Sequence, residues 1–208
     1  MQRMALAYCP RRARLATLAL LALDTRFASL LRNSREPMLA QMRLAWWRET
    51  LSGDPARWPS GDPLLSALRS WDGHLRALAV LADGWEAMTG AAPLPLAAML
   101  QFAAARGEAF ARLCVVLGHE DERQTAARRA QAWAIADVVS RLSNPVEKQA
   151  AIGLLGEQDW GRGGLSRAMR PLAVLHGMAA RNAWRGKDAR EVGPLALLAA
   201  VRLGLLGR

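Results

Sequence analysis

Asp24 is the residue least suited to its surroundings. It follows an uncharged run, Leu15 to Leu23, and the helical pattern resumes at Phe27, Leu30 and Leu31. A carboxylate in such a helix must find a partner or border a cavity, because burying an unpaired charge is very costly. Arg43 and Arg48 of the next helix are the expected partners. Trp47 follows Arg43 by four positions, one helical turn, so its ring can stack on that guanidinium. The same helix brings Leu39, Met42 and Trp46 to one face, with Met38, Ala45 and Glu49 close by. Core packing is the expected role of Trp46 and of Trp47. The chemistry these types offer is ion pairing, ring stacking and anion recognition, since an arginine fork suits phosphate oxygens.

Other chemistries find little support. Cys9 and Cys114 are too few for a disulfide scaffold or a cysteine-rich zinc module. His74, His119 and His176 lie far apart, with no metal-site spacing among them. No Ser/His/Asp grouping is readable, so no catalytic residue and no metal ligand is assigned. His176, beside Gly177 on an apolar helix, is expected as a core or edge histidine. Cys114 is expected to be buried and inert.

The 208 residues are 52% hydrophobic and 22% charged, enough to bury a sizeable core. Formal charge is +10, and 26 of the 28 basic residues are arginine. Residues 1–50 hold nine arginines and three acids, so +6 of the +10 sits there. A nucleic-acid face, an anionic lipid or diphosphate ligand, and a solvated surface all fit such an excess. No recognition-helix signature, RNP motif or zinc finger is present, so no specific nucleic-acid partner is expected. Arg3, Arg11, Arg12 and Arg14 before the Leu15–Leu23 run mimic a targeting signal. Nine residues are too few to span a bilayer. A folded helix is expected there, in a cytoplasmic protein with no transmembrane segment and with room for peripheral membrane contact.

Helix formers dominate and strand signals are scarce, so a single all-α domain over 1–208 is expected, with seven or eight helices. A first helix is expected over Arg11–Arg32. A second follows Ser34-Arg35-Glu36-Pro37, with Ser34 as the cap, and ends near Ser52-Gly53. Gly53 to Pro63 reads as a loop. Asp62-Pro63 opens a third helix reaching Met88, with a break near Trp71-Asp72-Gly73. The rest are Leu96–Leu117, closed by Gly118; a helix beginning in the acids after His119 and running to Leu142; Pro145–Leu155; Leu165–Trp184; and Val192–Leu206.

The string Glu36-Pro37-Met38-Leu39, then Arg43-Leu44, Trp46-Trp47-Arg48 and Leu51, resembles the squalene/phytoene synthase family, and most its bacterial and assembly-factor-like branch. Tyr8, Pro10, Arg14 and the Leu15–Leu23 run match the family's first core helix. Asp83-Gly84-Trp85-Glu86, Arg106-Gly107, Gln131 to Ile135 and Arg170 to Leu175 fit later helices. The resemblance implies an isoprenoid-synthase helical bundle. In active members, Asp pairs at i and i+4 on two facing helices hold Mg²⁺ against a departing diphosphate.

None of the 18 acids here has another four residues on. Aligned on the family, Ala28 and Arg32 stand at the first Asp pair, and Arg141 and Pro145 at the second. Asp137 falls where active members carry Asn. The only acids three apart are Asp83/Glu86 and Asp188/Glu191, expected on solvated surface. The expectation is a catalytically degenerate member that keeps the fold to bind an isoprenoid, a lipid-like ligand or a protein partner, without a cofactor. The alternative is an active prenyl-diphosphate transferase in which arginines clamp the diphosphate, with Mg²⁺ expected only in that case. The candidate ligand-binding residues are Asp24, Arg32, Arg43, Trp47, Arg48, Asp137 and Arg141.

Overall fold

Proline at the first helical turn, where a missing N–H costs nothing, starts four of the helices. In the computed structural model, which describes residues 1–34, 36–161, 164–184 and 194–206, these are α3 (Pro37–Ser52), α4 (Pro63–Leu68), α8 (Pro145–Gly156) and α10 (Pro194–Leu206). The others are α1 (Gln2–Ala7), α2 (Arg11–Asn33), α5 (Arg76–Ala87), α6 (Leu96–Val116), α7 (Arg123–Arg141) and α9 (Arg170–Trp184). Among the described residues there is no strand. Asp62 and Asn144 cap α4 and α8, each accepting two backbone N–H bonds. Gly118 closes α6 with φ +74°, a conformation in which a side chain would be strained.

Among the described residues ten helices stand where seven or eight were expected, for two reasons. The six-residue α1 is too short to show periodicity. The expected third helix divides: a 3₁₀ turn, Arg69–Trp71, and Gly73 at φ +75° separate α4 from α5. The acids after His119 form a separate 3₁₀ turn, Glu120–Glu122, ahead of α7. Ser34 does not cap α3; Glu36 holds that position and makes no side-chain cap bond. Asp188/Glu191 and the expected helix start at Val192 lie outside the described residues.

α6 is the central helix, packed most extensively on α7 and α5, while α3 packs on α5 and α9 on α7. One apolar cluster runs from Ala5 to Ala200 and includes Phe27, Trp47, Trp71, Trp85, Phe102, Phe110 and Trp133. Gly84 permits the close approach of α5 to α6, because a Cβ there would collide with Ala105. The Leu15–Leu23 run lies in α2, buried except for exposed Leu15 and Leu18 and half-buried Ala22.

The α3 face is inverted relative to expectation. Ala40, Leu44, Trp47 and Leu51 are buried, whereas Met38, Leu39, Met42 and Trp46 are exposed. Trp47 packs edge-on against Phe27, with centroids 5.9 Å apart, and not against Arg43, which is exposed. α3 is apolar on two sides, so its periodicity alone does not say which side the bundle takes.

Candidate functional site

α2, α6 and α7 bring three charged side chains to one point beneath a cleft. Asp24 of α2 is 4% exposed and Arg106 of α6 is 1% exposed. Arg106 Nη2 donates to both Asp24 oxygens, at 3.1 and 3.0 Å, and Nε donates to Oδ1 at 3.3 Å. The same guanidinium reaches Asp137 of α7, with Nη1 and Nη2 at 3.2 and 3.3 Å from Oδ2. The partner of Asp24 is therefore Arg106, not Arg43 or Arg48.

Aromatic rings enclose the cation. The guanidinium carbon lies 4.3 Å from the Trp133 ring centre, 4.5 Å from Phe102 and 5.7 Å from Trp85. Attraction between a cation and a ring face strengthens when water is excluded, which offsets part of the cost of burying the charge. Trp85 also donates its indole N–H to Asp24 Oδ1 at 2.9 Å. Arg141, one turn after Asp137, donates from Nε to Asp137 Oδ1 at 2.9 Å. Two carboxylates and two guanidinium groups thus form a balanced network, open to solvent mainly at Arg141 and narrowly at Asp137.

A cleft of about 350 Å³ lies above this network. Its walls carry Asp24, Thr25, Ala28 and Arg32 from α2 and Trp133, Asp137 and Arg141 from α7, with Leu175 of α9. Met1, Gln2 and Arg3 complete the lining. Gln2 bridges the α1–α2 contact, lying 3.5 Å from Asp24 Oδ2 and accepting from the Thr25 hydroxyl at 2.8 Å. Arg3, Arg32 and Arg141 are all exposed at this cleft, so its solvent-facing charge is positive.

Of the sequence candidates, Asp24, Arg32, Asp137 and Arg141 come together here. Arg43, Trp47 and Arg48 do not. Arg48 instead binds Asp83 at 2.9 Å and Glu86 at 2.8 Å, joining α3 to α5. Those two acids, three apart, are thus partners of one arginine and not merely solvated. Arg106, Trp85, Phe102 and Gln2 were not among the candidates. For Arg106 a signal existed: it is the only charge between Leu96 and Gly107, the basic counterpart of Asp24.

The residues do not fit a Mg²⁺ site. Magnesium needs carboxylate oxygens free to coordinate it. Both oxygens of Asp24 and both of Asp137 already accept from arginine, and Arg32 and Arg141 add positive charge beside them.

A second buried polar group lies on α9. His176 is 4% exposed and stacks on Trp160, with centroids 5.4 Å apart. Burial foremost, and then the charge of Arg129, push its pKa down to about 4. Burial also raises the Cys114 thiol to about 12, aided by Glu122 and Asp121. Among the described residues, no helix is long and apolar enough to cross a membrane. Compared with protein-family models, curated proteins and solved structures, the chain matches none.

Proposed function

We propose that this is a squalene/phytoene synthase-like protein of the isoprenoid-synthase fold, cytoplasmic, that no longer performs metal-dependent prenyl transfer. It uses the cleft between α2 and α7 to bind an isoprenoid or other lipid-like ligand, or a protein partner. The observation that carries this reading is the Asp24–Arg106–Asp137 bridge. Carboxylates on two facing helices are there, but an internal guanidinium takes up their oxygens. An arginine held by the chain is a permanent cation. It balances the acids as a metal would, yet offers no open coordination position.

Isothermal titration with farnesyl or geranylgeranyl diphosphate, with and without Mg²⁺, tests the reading. Binding that is indifferent to Mg²⁺ and gives no turnover supports it. Tight Mg²⁺-dependent binding, or product formation, overturns it.

A second reading has its own observation, the arginines Arg3, Arg32 and Arg141 around the cleft. They suit a diphosphate clamped directly by guanidinium groups, as in an active prenyl-diphosphate transferase with unconventional ligands. Diphosphate release from either substrate would favour it; its absence disposes of it.

A further inference from the structure

The segment after α8, residues 157–161, is tied mostly to its own neighbours in the chain. The N–H groups of Glu157 and Gln158 donate to the Leu154 and Leu155 carbonyls at 3.3 and 3.4 Å. The Gln158 amide donates to the Leu154 carbonyl at 2.9 Å, and the Trp160 indole to that of Leu155 at 3.3 Å. Gly161 N–H donates to Asp159 Oδ1 at 2.8 Å. The tie to α9 is His176. Trp160, half-buried against the core, stacks on that ring with centroids 5.4 Å apart and planes 26° from parallel.

His176 fits this place only without a second proton. Its Nε2 is buried and has no hydrogen-bond partner among the described residues. A cation there would be cut off from water and would face the Arg129 guanidinium of α7. Arg129 is itself buried, under the attraction of Asp159 and Glu122. A hydrogen bond to the Asp159 backbone, and the Asp159 carboxylate, favour the protonated ring. No other charged group among the described residues acts on it. Burial and Arg129 prevail, so the ring titrates at about 4 instead of 6.5.

We infer that His176 and Trp160 form an acid-sensitive latch, in which protonation of His176 parts the two rings and frees residues 157–161 while the helical core stays folded. Histidine is the side chain whose charge changes in mildly acidic water, and a segment with few ties opens more readily than a whole fold. Once parted from Trp160, the hydrated ring titrates at its ordinary value. With 4 and 6.5 for the closed and open forms, the closed-to-open ratio falls about thirtyfold between about pH 7.5 and about pH 5. The inference does not depend on what the cleft binds, because neither His176 nor the segment lines it.

Amide hydrogen exchange of the full chain at those two pH values tests this, corrected for intrinsic rates and read by mass spectrometry over the segment and over α6. Protection of the segment should fall about thirtyfold at the lower pH, with α6 better protected at both. His176→Gln, which cannot titrate, should hold the segment's protection within about threefold across the two. Trp160→Ala, outside any helix, should lose protection at both, and its His176 ring, followed by NMR, should titrate closer to 6.5 than the native ring does. Equal protection of the native segment at both pH values overturns the inference. So does a fall that persists in His176→Gln, or a native His176 ring that titrates at its ordinary value. A segment that exchanges no faster than α6 overturns it too, since the whole chain then unfolds together.

Discussion

Arg106→Met tests the central network directly. Methionine keeps most of the side-chain length and can still touch Phe102 and Trp133, so the change mainly removes charge and donors. Arg106 supplies five hydrogen bonds to two carboxylates that are largely shielded from water, with side-chain exposures of 5% for Asp24 and 16% for Asp137. Deleting one partner of a buried ion pair costs about 3–5 kcal/mol, because the other charge is left uncompensated. Trp85 and Gln2 remain for Asp24 and Arg141 for Asp137, so the loss belongs within that range. For a chain of this size each kcal/mol lowers Tm by about 2–4 °C, giving a drop of about 6–20 °C. Against a total stability of about 5–15 kcal/mol this is a large fraction.

Urea unfolding followed by circular dichroism gives the measurement, and a cycle gives its cause. Asp24→Asn/Asp137→Asn removes both negative charges while keeping side-chain shape. Combined with Arg106→Met, it should recover at least about 2 kcal/mol relative to simple addition, since no buried charge is then unpaired. Arg106→Lys should fall between wild type and Met, because one ammonium keeps the charge but not the fork. A loss below about 1 kcal/mol for Arg106→Met, the level of an exposed pair, would refute the reasoning. Strict additivity in the cycle would refute it equally.

His176 is neutral in the folded chain, so the unfolded chain binds the extra proton as pH falls below about 6.5. Its contribution to stability is complete above that pH and is lost toward pH 4, by about 3 kcal/mol; His176→Gln should flatten that part of the pH–stability curve. Gly84→Ala should destabilise by about 1–3 kcal/mol, because its methyl would meet Ala105 where α5 crosses α6. Gly153→Ala in α8 faces open space and should instead stabilise by about 0.5–1 kcal/mol, both changes read from urea midpoints. Cys114 is buried with its thiol pushed up to about 12, so it should resist a disulfide reagent at pH 8 until the chain unfolds; rapid labelling of Cys114 in the native protein would contradict that burial.

Helix boundaries were legible where a residue fixes them chemically. Pro37, Pro63, Pro145, Asp62, Asn144 and Gly118 each restrict the backbone or supply a cap within a few residues, so local sequence suffices. α1 was not legible, because six residues make less than two turns and hold only one buried side chain, Ala5. The gathering of Asp24, Arg32, Asp137 and Arg141 at one cleft was anticipated only through the family resemblance. Nothing in local periodicity links positions more than a hundred residues apart.

Arg106 and α3 mark two different limits of sequence reading. Asp24 demands a buried cation, but the demand has no address. Arg43 and Arg48 are nearer in the chain, while Arg106 is 82 positions away. What selects Arg106 is desolvation: only an arginine already carried on a helix apolar on most sides meets Asp24 without returning either group to water. The informative signal was therefore the isolation of each charge within its own helix, not sequence distance. For α3 the ambiguity is geometric. Two apolar stripes on opposite sides of one helix give no net direction, and both carry a tryptophan. The bundle takes the side with Ala40, Leu44, Trp47 and Leu51, which is buried while α3 packs on α5. The side with Met38, Met42 and Trp46 is left facing out, although its period and apolar character match the buried side's.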